Sequence, residues 1–323
     1  MRHLKLVLFL LATALSCAAL PALAEYPDRP VKIIVPYPPA GTTDILARLI
    51  GQRLSERMKQ PFMIENRPGA GGAIGSVAVA KAPADGYTLL MATLNSHGIN
   101  SALIRNLPYD AVKDFAPITI VGNTPNVLVV NPGVPAKNLA ELLALARAKP
   151  GSLNFGSTSQ GGSPHMSGEL LKAMTGVDIT HIPYKGAGPM LADLIGGQVQ
   201  TGFDNLPSSI GHIRSGRIHA IAVTTAQRFP GAPEIPTMAE SGVPGYEVSA
   251  WFGLLAPAGT PKPVIDALYA NIAAILKQPE VVKQLFDLGA EPGGNTPEAY
   301  ARQIAADVEK WKKVVADTGV KAE

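Results

Sequence analysis

Between Val31 and Arg48 the chain changes character twice. An apolar run, Val31-Lys32-Ile33-Ile34-Val35, stops at Pro36-Tyr37-Pro38-Pro39-Ala40-Gly41-Thr42-Thr43-Asp44 and gives way to Ile45-Leu46-Ala47-Arg48-Leu49-Ile50. This predicts a strand, a stiff loop and a helix. Adjacent prolines donate no hydrogen bond, Gly41 lets a backbone approach closely, and Thr42, Thr43 and Asp44 are residue types that open helices. The first amides of a helix have no partner within it, so such a junction gathers free donors and favours an anion. Tyr37, Ala40, Gly41, Thr42, Thr43 and Asp44 are therefore candidate ligand-binding residues.

The rest of the chain alternates short β-branched runs with amphipathic stretches, the pattern of an α/β protein with mostly parallel sheets. Strands are expected over 31–35, 62–65, 88–93, 116–121, 126–131, 154–156, 178–183, 199–204, 218–224 and 253–256. Helices are expected over 44–58, 72–80, 138–148, 164–175, 187–195, 207–215, 263–277 and 297–317. The strands at 126–131 and 218–224 bracket a block that holds its own βαβα set, which suggests one lobe inserted into another. The expected division is lobe I over 25–125, lobe II over 126–224, and a return to lobe I over 225–323, with hinges near 124–126 and 224–226. Two lobes joined in this way leave a cleft between them and can move about the crossings.

A second polar, glycine-rich loop, Phe155-Gly156-Ser157-Thr158-Ser159-Gln160-Gly161-Gly162-Ser163-Pro164-His165, repeats the strand-loop-helix arrangement in the other lobe. It adds Ser157, Thr158, Ser159, Gly161, Gly162, Ser163 and His165 as candidates; a capped helix start is the plainer reading of either loop alone. Facing helix N-termini in two lobes can hold a dicarboxylate or similar anion without arginine, at the carboxyl ends of the strands where open α/β sheets bind ligands. Tyr184 and Lys185 offer an aromatic wall and a cation, Asp204 closes a strand before Asn205-Leu206-Pro207-Ser208-Ser209, and Thr93 and Asn95 end a first-lobe strand. Each of these also has a bland reading: Lys185 in water, Tyr184 on the surface, Asp204 as the cap of the next helix. The glycine turn Asn66-Arg67-Pro68-Gly69-Ala70-Gly71-Gly72 fails as a dinucleotide fingerprint, because Ile74 stands where the third glycine is required.

Ahead of these segments lie Arg2 and Lys5, an apolar run over 6–20, and Ala22-Leu23-Ala24 before Glu25, which reads as a secretory signal peptide over 1–24 and predicts export. Cys17, the single cysteine, lies inside it, so the exported product would carry no disulfide and no thiol chemistry. A lipoprotein reading with Cys17 acylated is weaker, since Ala14 occupies the place of the usual leucine. Removing Arg2 and Lys5 from the 28 basic residues leaves 26 against 25 acidic ones, and no charge run suggests nucleic acid or a membrane surface.

Enzyme readings are poor. No G-x-S-x-G elbow occurs, and His97, His165, His181, His212 and His219 show no metal-ligand spacing. No cofactor is expected. His165 is the one histidine in a candidate loop, where a buried or capping imidazole is the more ordinary role.

The chain resembles the tripartite tricarboxylate transporter solute-binding receptors, the Bug family of periplasmic binding proteins. The similarity runs from Tyr26 to about Thr318. It is carried by Tyr26-Pro27-x-Arg29-Pro30, Pro36-Tyr37-x-x-x-Gly41-x-x-Asp44-x-x-Ala47-Arg48, Glu65-Asn66-Arg67-Pro68-Gly69-Ala70-Gly71-Gly72, and Ala84-Asp85-Gly86-Tyr87-Thr88-Leu89. Further on come Tyr184-Lys185-Gly186 with Asp193-Leu194-x-x-Gly197, Pro236-Thr237-x-x-Glu240-x-Gly242, and Trp251-x-Gly253 before Ala256-Pro257-x-Gly259-Thr260-Pro261. The resemblance implies a two-lobed, type II periplasmic binding fold with a hinge and an interlobe cleft. It also implies a small organic acid held by main-chain amides, ordered waters and short hydroxyl side chains, and delivery to the membrane subunits of a tripartite tricarboxylate transporter by a monomeric receptor. One departure is Ala40-Gly41, where many relatives have Gly-Gly; the methyl is expected to tighten the pocket or limit the approach of an amide. A secreted hydrolase or lyase acting on carboxylic acids, and a ligand sensor for a signalling partner, are the alternative readings.

Overall fold

The computed structural model describes residues 26–318, so the signal-peptide reading and Cys17 lie outside the described residues. Ten strands form one curled, mixed sheet. In the first half, β1 (Val31–Val35) lies between β2 (Phe62–Asn66) and β3 (Thr88–Thr93), both parallel to it, and β9 (Ser249–Pro257) then pairs antiparallel with β3 and with β4 (Phe115–Val130). In the second half, β7 (Thr201–Asn205) and β8 (His219–Val223) flank the far end of β4, and β5 (Asn154–Ser157) joins β7 to β6 (Thr180–Pro183). The two-residue β10 (Glu291–Pro292) closes against the first half of β4. The expectation of mostly parallel sheets is therefore corrected: the parallel pairs sit in the body of each half, and the strands that cross between halves run antiparallel to their neighbours.

The two strands expected at 116–121 and 126–131 are one strand. Its residues up to Pro125 pair with β9, and from Asn126 onward they pair with β7. Gly122, Asn123, Thr124 and Pro125 read as a break in sequence, yet their backbone continues the ladder with β9 from Phe252 to Ser249. The strand expected at 253–256 likewise begins earlier, at Ser249.

Helices cover both faces: α1 (Thr42–Met58), α2 (Ala73–Ala80), α3 (Leu139–Ala148), α4 (Ser163–Thr175), α5 (Ala187–Ile195), α6 (Leu206–Arg214), α7 (Lys262–Leu276), α8 (Pro279–Leu288) and α9 (Pro297–Thr318). Helix α8 is absent from the sequence expectation, although Pro279 in its first turn and Gly289 at φ 87° beyond its last are start and stop signals. Alternate strand residues enter opposite cores: Val31, Ile33 and Val35 pack with α1 and α7, whereas Ile34, Leu90 and Trp251 pack with α9. In the second half Leu128 and Val130 face one core, Val127 and Val129 the other. Strands buried on both faces explain why the sequence runs were continuously apolar rather than alternating.

Residues 225–248, expected in the first lobe, pack with the second. Phe229, Ala232 and Ile235 join the core around Val127 and Met190, and Met238, Val243 and Tyr246 join that around Phe155. Thr224 does lie at the junction: its hydroxyl accepts from the Asn126 amide and donates to the Val248 carbonyl, at 2.9 and 2.6 Å. Small residues set how closely α4 packs. A Cβ on Gly168 would lie 2.1 Å from the Phe155 ring, whereas one on Gly188 in α5 would meet nothing within 4 Å. Gly168→Ala should then destabilise by about 1–3 kcal/mol through overpacking, and Gly188→Ala should stabilise by about 0.5–1 kcal/mol. Denaturant unfolding of the two variants checks both signs.

Candidate functional site

Five chain segments leave the carboxyl ends of β1, β3, β5, β6 and β7, and all five reach one cavity of about 60 Å³ between the halves. Its lining includes the first turns of four helices: Gly41, Thr42 and Thr43 of α1, Gly162, Ser163 and Pro164 of α4, Gly186 and Ala187 of α5, and Asn205 and Ser208 of α6. None of the four N-caps carries a side-chain cap. Helix α3, elsewhere in the second half, is closed by Asn138, whose side chain accepts from the Glu141 amide at 2.9 Å. Because α7 and α8 also lack such caps, convergence rather than the missing cap marks the site.

The first bonded amide of α1 is that of Ile45, to the Gly41 carbonyl at 3.0 Å, which leaves the amides of Thr42, Thr43 and Asp44 over. In α4 it is that of Met166, to Gly162 at 2.9 Å, and Pro164 has no N–H, so those of Ser163 and His165 are left over. Among the described residues no Lys, Arg or His lines the cavity. Positive potential therefore comes from helix termini, each worth up to about 2 kcal/mol toward a partly buried anion.

The halves touch across this cavity. The Thr42 and Ser208 hydroxyls are 3.2 Å apart, a Cβ on Gly186 would lie 3.1 Å from Pro38, and one on Gly161 would lie 2.3 Å from Leu103. On the first-half wall, Asn95 donates to the Tyr37 hydroxyl (3.1 Å) and the Gly71 carbonyl (3.3 Å), and Tyr37 bonds Thr93 at 3.0 Å. Burial pushes the Tyr37 phenol up, so it stays protonated and remains a donor.

Of the sequence candidates, Tyr37, Gly41, Thr42, Thr43, Thr93, Asn95, Thr158, Ser159, Gly162, Ser163 and Asp204 line the cavity. Ala40, Asp44, Ser157, Gly161, His165, Tyr184 and Lys185 are outside the lining, and most of these hold the loops instead. Asp44 accepts from the Ala40 amide, Arg48 and Asn66 at 2.9–3.0 Å; burial alone would raise its carboxyl, and these donors bring it below the usual range. Ser157 bonds His181 (2.7 Å), and His165 Nδ1 accepts from the Gly161 amide (3.0 Å) while its ring stacks on that of His181 at 3.8 Å. Burial lowers both imidazoles, so they brace this loop in the neutral form. Tyr184 donates to Asp193 at 2.8 Å, and Lys185 is exposed. Ala40 is exposed at φ 66°, so its methyl does not enter the pocket; it sits where L side chains cost about 1–2 kcal/mol and glycine does not.

Sequence reasoning missed Pro38, Leu94, Pro164, Gly186, Ala187, Asn205, Ser208, Ala250 and Phe252 as cavity residues. Ser208 could have been found, standing one helical turn beyond Asp204. Ala250 and Phe252 come from β9, whose start the sequence hid. A larger groove of about 830 Å³ follows the flank of α4 between Met166 and Trp311, but no helix N-terminus opens on it.

Residues 46–320 match the family described as "Tripartite tricarboxylate transporter family receptor". The chain belongs to this receptor family. The receptor is 39% identical to Protein BugT of Bordetella pertussis over 321 residues, covering 99% of this chain and 98% of that one. Among solved structures it is similar to an R. palustris protein with adipate (43% identity, TM-score 0.90, 92% of this chain and 99% of that one). It is also similar to periplasmic binding protein BugD (34%, 0.87, 92% and 100%) and to MatC of Rhodopseudomonas palustris with bound malate (34%, 0.83, 90% and 100%). These relatives are solute-binding proteins, and the two-lobed periplasmic binding fold is that of the receptor described above.

Among the described residues Asp204 is the one carboxylate on the cavity wall, accepting from Ser208 (2.6 Å), Ser209 (2.7 Å) and the Asn205 amide (2.8 Å). Burial pushes it up to about 6 in spite of these bonds. A carboxyl raised on folding favours the native state most below its unfolded value near 3.8, and that contribution is lost as pH rises through 6. At about 1.4 kcal/mol per pH unit, wild type should lose on the order of 3 kcal/mol relative to Asp204→Asn between about pH 4 and pH 6. Urea titrations across that range measure the slope, which is independent of any constant offset from the amide.

Proposed function

We propose that this receptor binds a small organic carboxylate in the interlobe cleft, in the periplasm, and as a monomer presents it to the membrane subunits of a tripartite tricarboxylate transporter. The observation that carries the reading is the convergence of four helix N-termini from both halves on a cavity without a cation. Leftover amides on converging helices suit an oxyanion, which can accept several short hydrogen bonds at once. The adipate and malate held by the two relatives belong to the same chemical class.

Binding without turnover is the better reading of the side chains. The carboxylate that accepts from the cavity serine Ser208, Asp204, is shared with Ser209 and the Asn205 amide, and His165 faces Gly161 and His181 outside the lining, so no serine–histidine pair is assembled in the cavity among the described residues. Among the described residues no group of three or more His, Cys, Asp or Glu could hold a metal ion.

Gly41 has ordinary helix-start geometry, and a Cβ there would meet only the Pro38 carbonyl at 3.8 Å, so Gly41→Val should fold yet crowd the cavity. We expect it to weaken binding by roughly a hundredfold, about 2.7 kcal/mol, while Lys185→Ala stays within about threefold. Calorimetry with a panel of di- and tricarboxylates is the test, and loss of binding in Lys185→Ala alone would overturn the amide cradle. If each half grips one part of the ligand, X-ray scattering should show a smaller radius of gyration with ligand than without. Gly162→Leu, which must displace Ser159, should abolish that compaction.

A further inference from the structure

Of the four helix N-termini at the cavity, one already faces a carboxylate of the protein itself. Asp204 lies on the wall at the start of α6, 1% exposed, with Oδ2 accepting from Ser208 at 2.6 Å and Ser209 at 2.7 Å and Oδ1 from the Asn205 amide at 2.8 Å. The acid in the first turn of α1, Asp44, is outside the lining and paired with Arg48 at 2.9 Å, and α4 and α5 have no acid in their first turns. All three donors to Asp204 are neutral. The titratable groups of the surrounding elements supply no counter-charge either. Burial keeps Tyr37 protonated before α1, and keeps His165, His181 and, further along α6, His212 neutral. Tyr184 is bonded to Asp193, Arg214 of α6 is turned to the Asp287 carbonyl, and Lys185 is exposed outside the lining.

An anion in this cavity and an ionised Asp204 draw on the same helix end and repel each other. A cavity of about 60 Å³ leaves little between a ligand and its wall. Like charges about 6 Å apart, under an effective dielectric of about 20, change each other's proton affinity about a hundredfold. Where two carboxylates share a site, one of them is driven toward its protonated form. Asp204 starts closer to that form than a small acid does, since burial has already carried it up to about 6. Its hydrogen bonds also accommodate the change. A proton on Oδ2 is given to Ser208 Oγ, and Ser208 turns its own to the Asn205 carbonyl at 2.9 Å, while Ser209 and the Asn205 amide go on donating. No heavy atom has to move, and the end of α6 is released to the ligand.

Building on the carboxylate reading, we infer that the receptor takes up a proton together with its organic anion, and that Asp204 is the group that holds it. The effect is electrostatic, so Asp204 need not touch the ligand. The sign follows from linkage: the loaded form binds more protons than the empty one, so affinity falls as pH rises above the value at which the empty receptor's Asp204 ionises. Loss of the proton restores the like-charge pair and loosens the grip on the ligand.

Calorimetry with succinate, malate and adipate, run in PIPES and in Tris, tests this, because the difference in binding heat between two buffers of unlike ionisation enthalpy counts the protons taken up. At pH 7, where these acids are themselves ionised, wild type should take up more than about half a proton per ligand, and Kd should rise about fivefold from pH 7 to pH 8. Asp204→Asn, which imitates the neutral carboxyl, should take up less than about 0.2 proton and hold Kd within about 1.5-fold over the same range. Uptake below about 0.2 proton in wild type overturns the inference and leaves the carboxylate reading standing, as does undiminished uptake in a folded Asp204→Asn. Should that variant not fold, infrared difference spectra of wild type with carboxyl-¹³C ligand decide. A protonated-carboxyl band that appears on binding and ignores the label belongs to the protein and supports the inference; no such band, or one that shifts with the label, overturns it. If none of the three acids binds, the carboxylate reading fails and the inference falls with it.

Discussion

The architecture turns on Asn126. This residue is fully buried where β4 passes from one half of the sheet to the other, and its two ends serve different purposes. Its backbone is tied to Thr224, and through Thr224 to Val248, so that the three passages of chain at the junction are hydrogen-bonded together. Its side chain reaches the site instead: Nδ2 donates to Ser167 at 2.9 Å, and Oδ1 accepts from Ser163 at the start of α4 and from Asn205, the N-cap of α6. The position of two site helices is therefore set by the same residue that marks the crossing. Buried amides without partners cost about 1–3 kcal/mol each, so this set of bonds has to be complete or absent.

A site that uses backbone amides in place of lysine or arginine needs its loops held still, since the donors themselves have no side chain to adjust. That need accounts for most of the ionisable residues nearby. Asp44 ties together the loop before α1, the neighbouring Arg48 and Asn66 on β2. The stacked His165 and His181 pair holds the loop before α4, and Asp204 gathers the first turn of α6. Residue types that suggest chemistry are here the fixings of a hydrogen-bond cradle.

Much of this was legible in the sequence wherever local signals were strong. The stretch Pro36 to Asp44 specified a strand, a stiff loop and a helix start because proline, glycine and cap residues act over a few positions. The glycine-rich loop before α4 was read for the same reason. Two kinds of feature stayed hidden. Gly122 to Pro125 fall between the strands expected at 116–121 and 126–131, at the expected hinge, but tertiary pairing with β9 keeps them extended and makes one long strand. Contact and brace could not be told apart either: Thr42 and Asp44 are two residues apart with similar signals, yet one lines the cavity and the other points back at its own loop, a difference set by Arg48 and Asn66.

The halves meet at the cavity and again beside it, where Phe286 of α8 packs near Phe229 and Arg214 of α6 donates to the Asp287 carbonyl at 2.7 Å. At the cavity, among the described residues, the direct polar contact between the halves is the neutral pair Thr42 and Ser208, worth on the order of 1 kcal/mol, joined by the apposition of Pro38 with Gly186 and, outside the lining, of Leu103 with Gly161. Both second-half positions are glycines at positive φ, and a Cβ at Gly161 would clash with Leu103 whereas one at Gly186 would crowd Pro38. A ligand that touched both halves would act in addition to these contacts. A ligand bonded to α1 on one side and to α4, α5 and α6 on the other adds its differential affinity to them, and needs only a few kcal/mol to decide the balance. Amides left over on both sides of the cavity would favour an anion most when both halves surround it, which would couple recognition to closure.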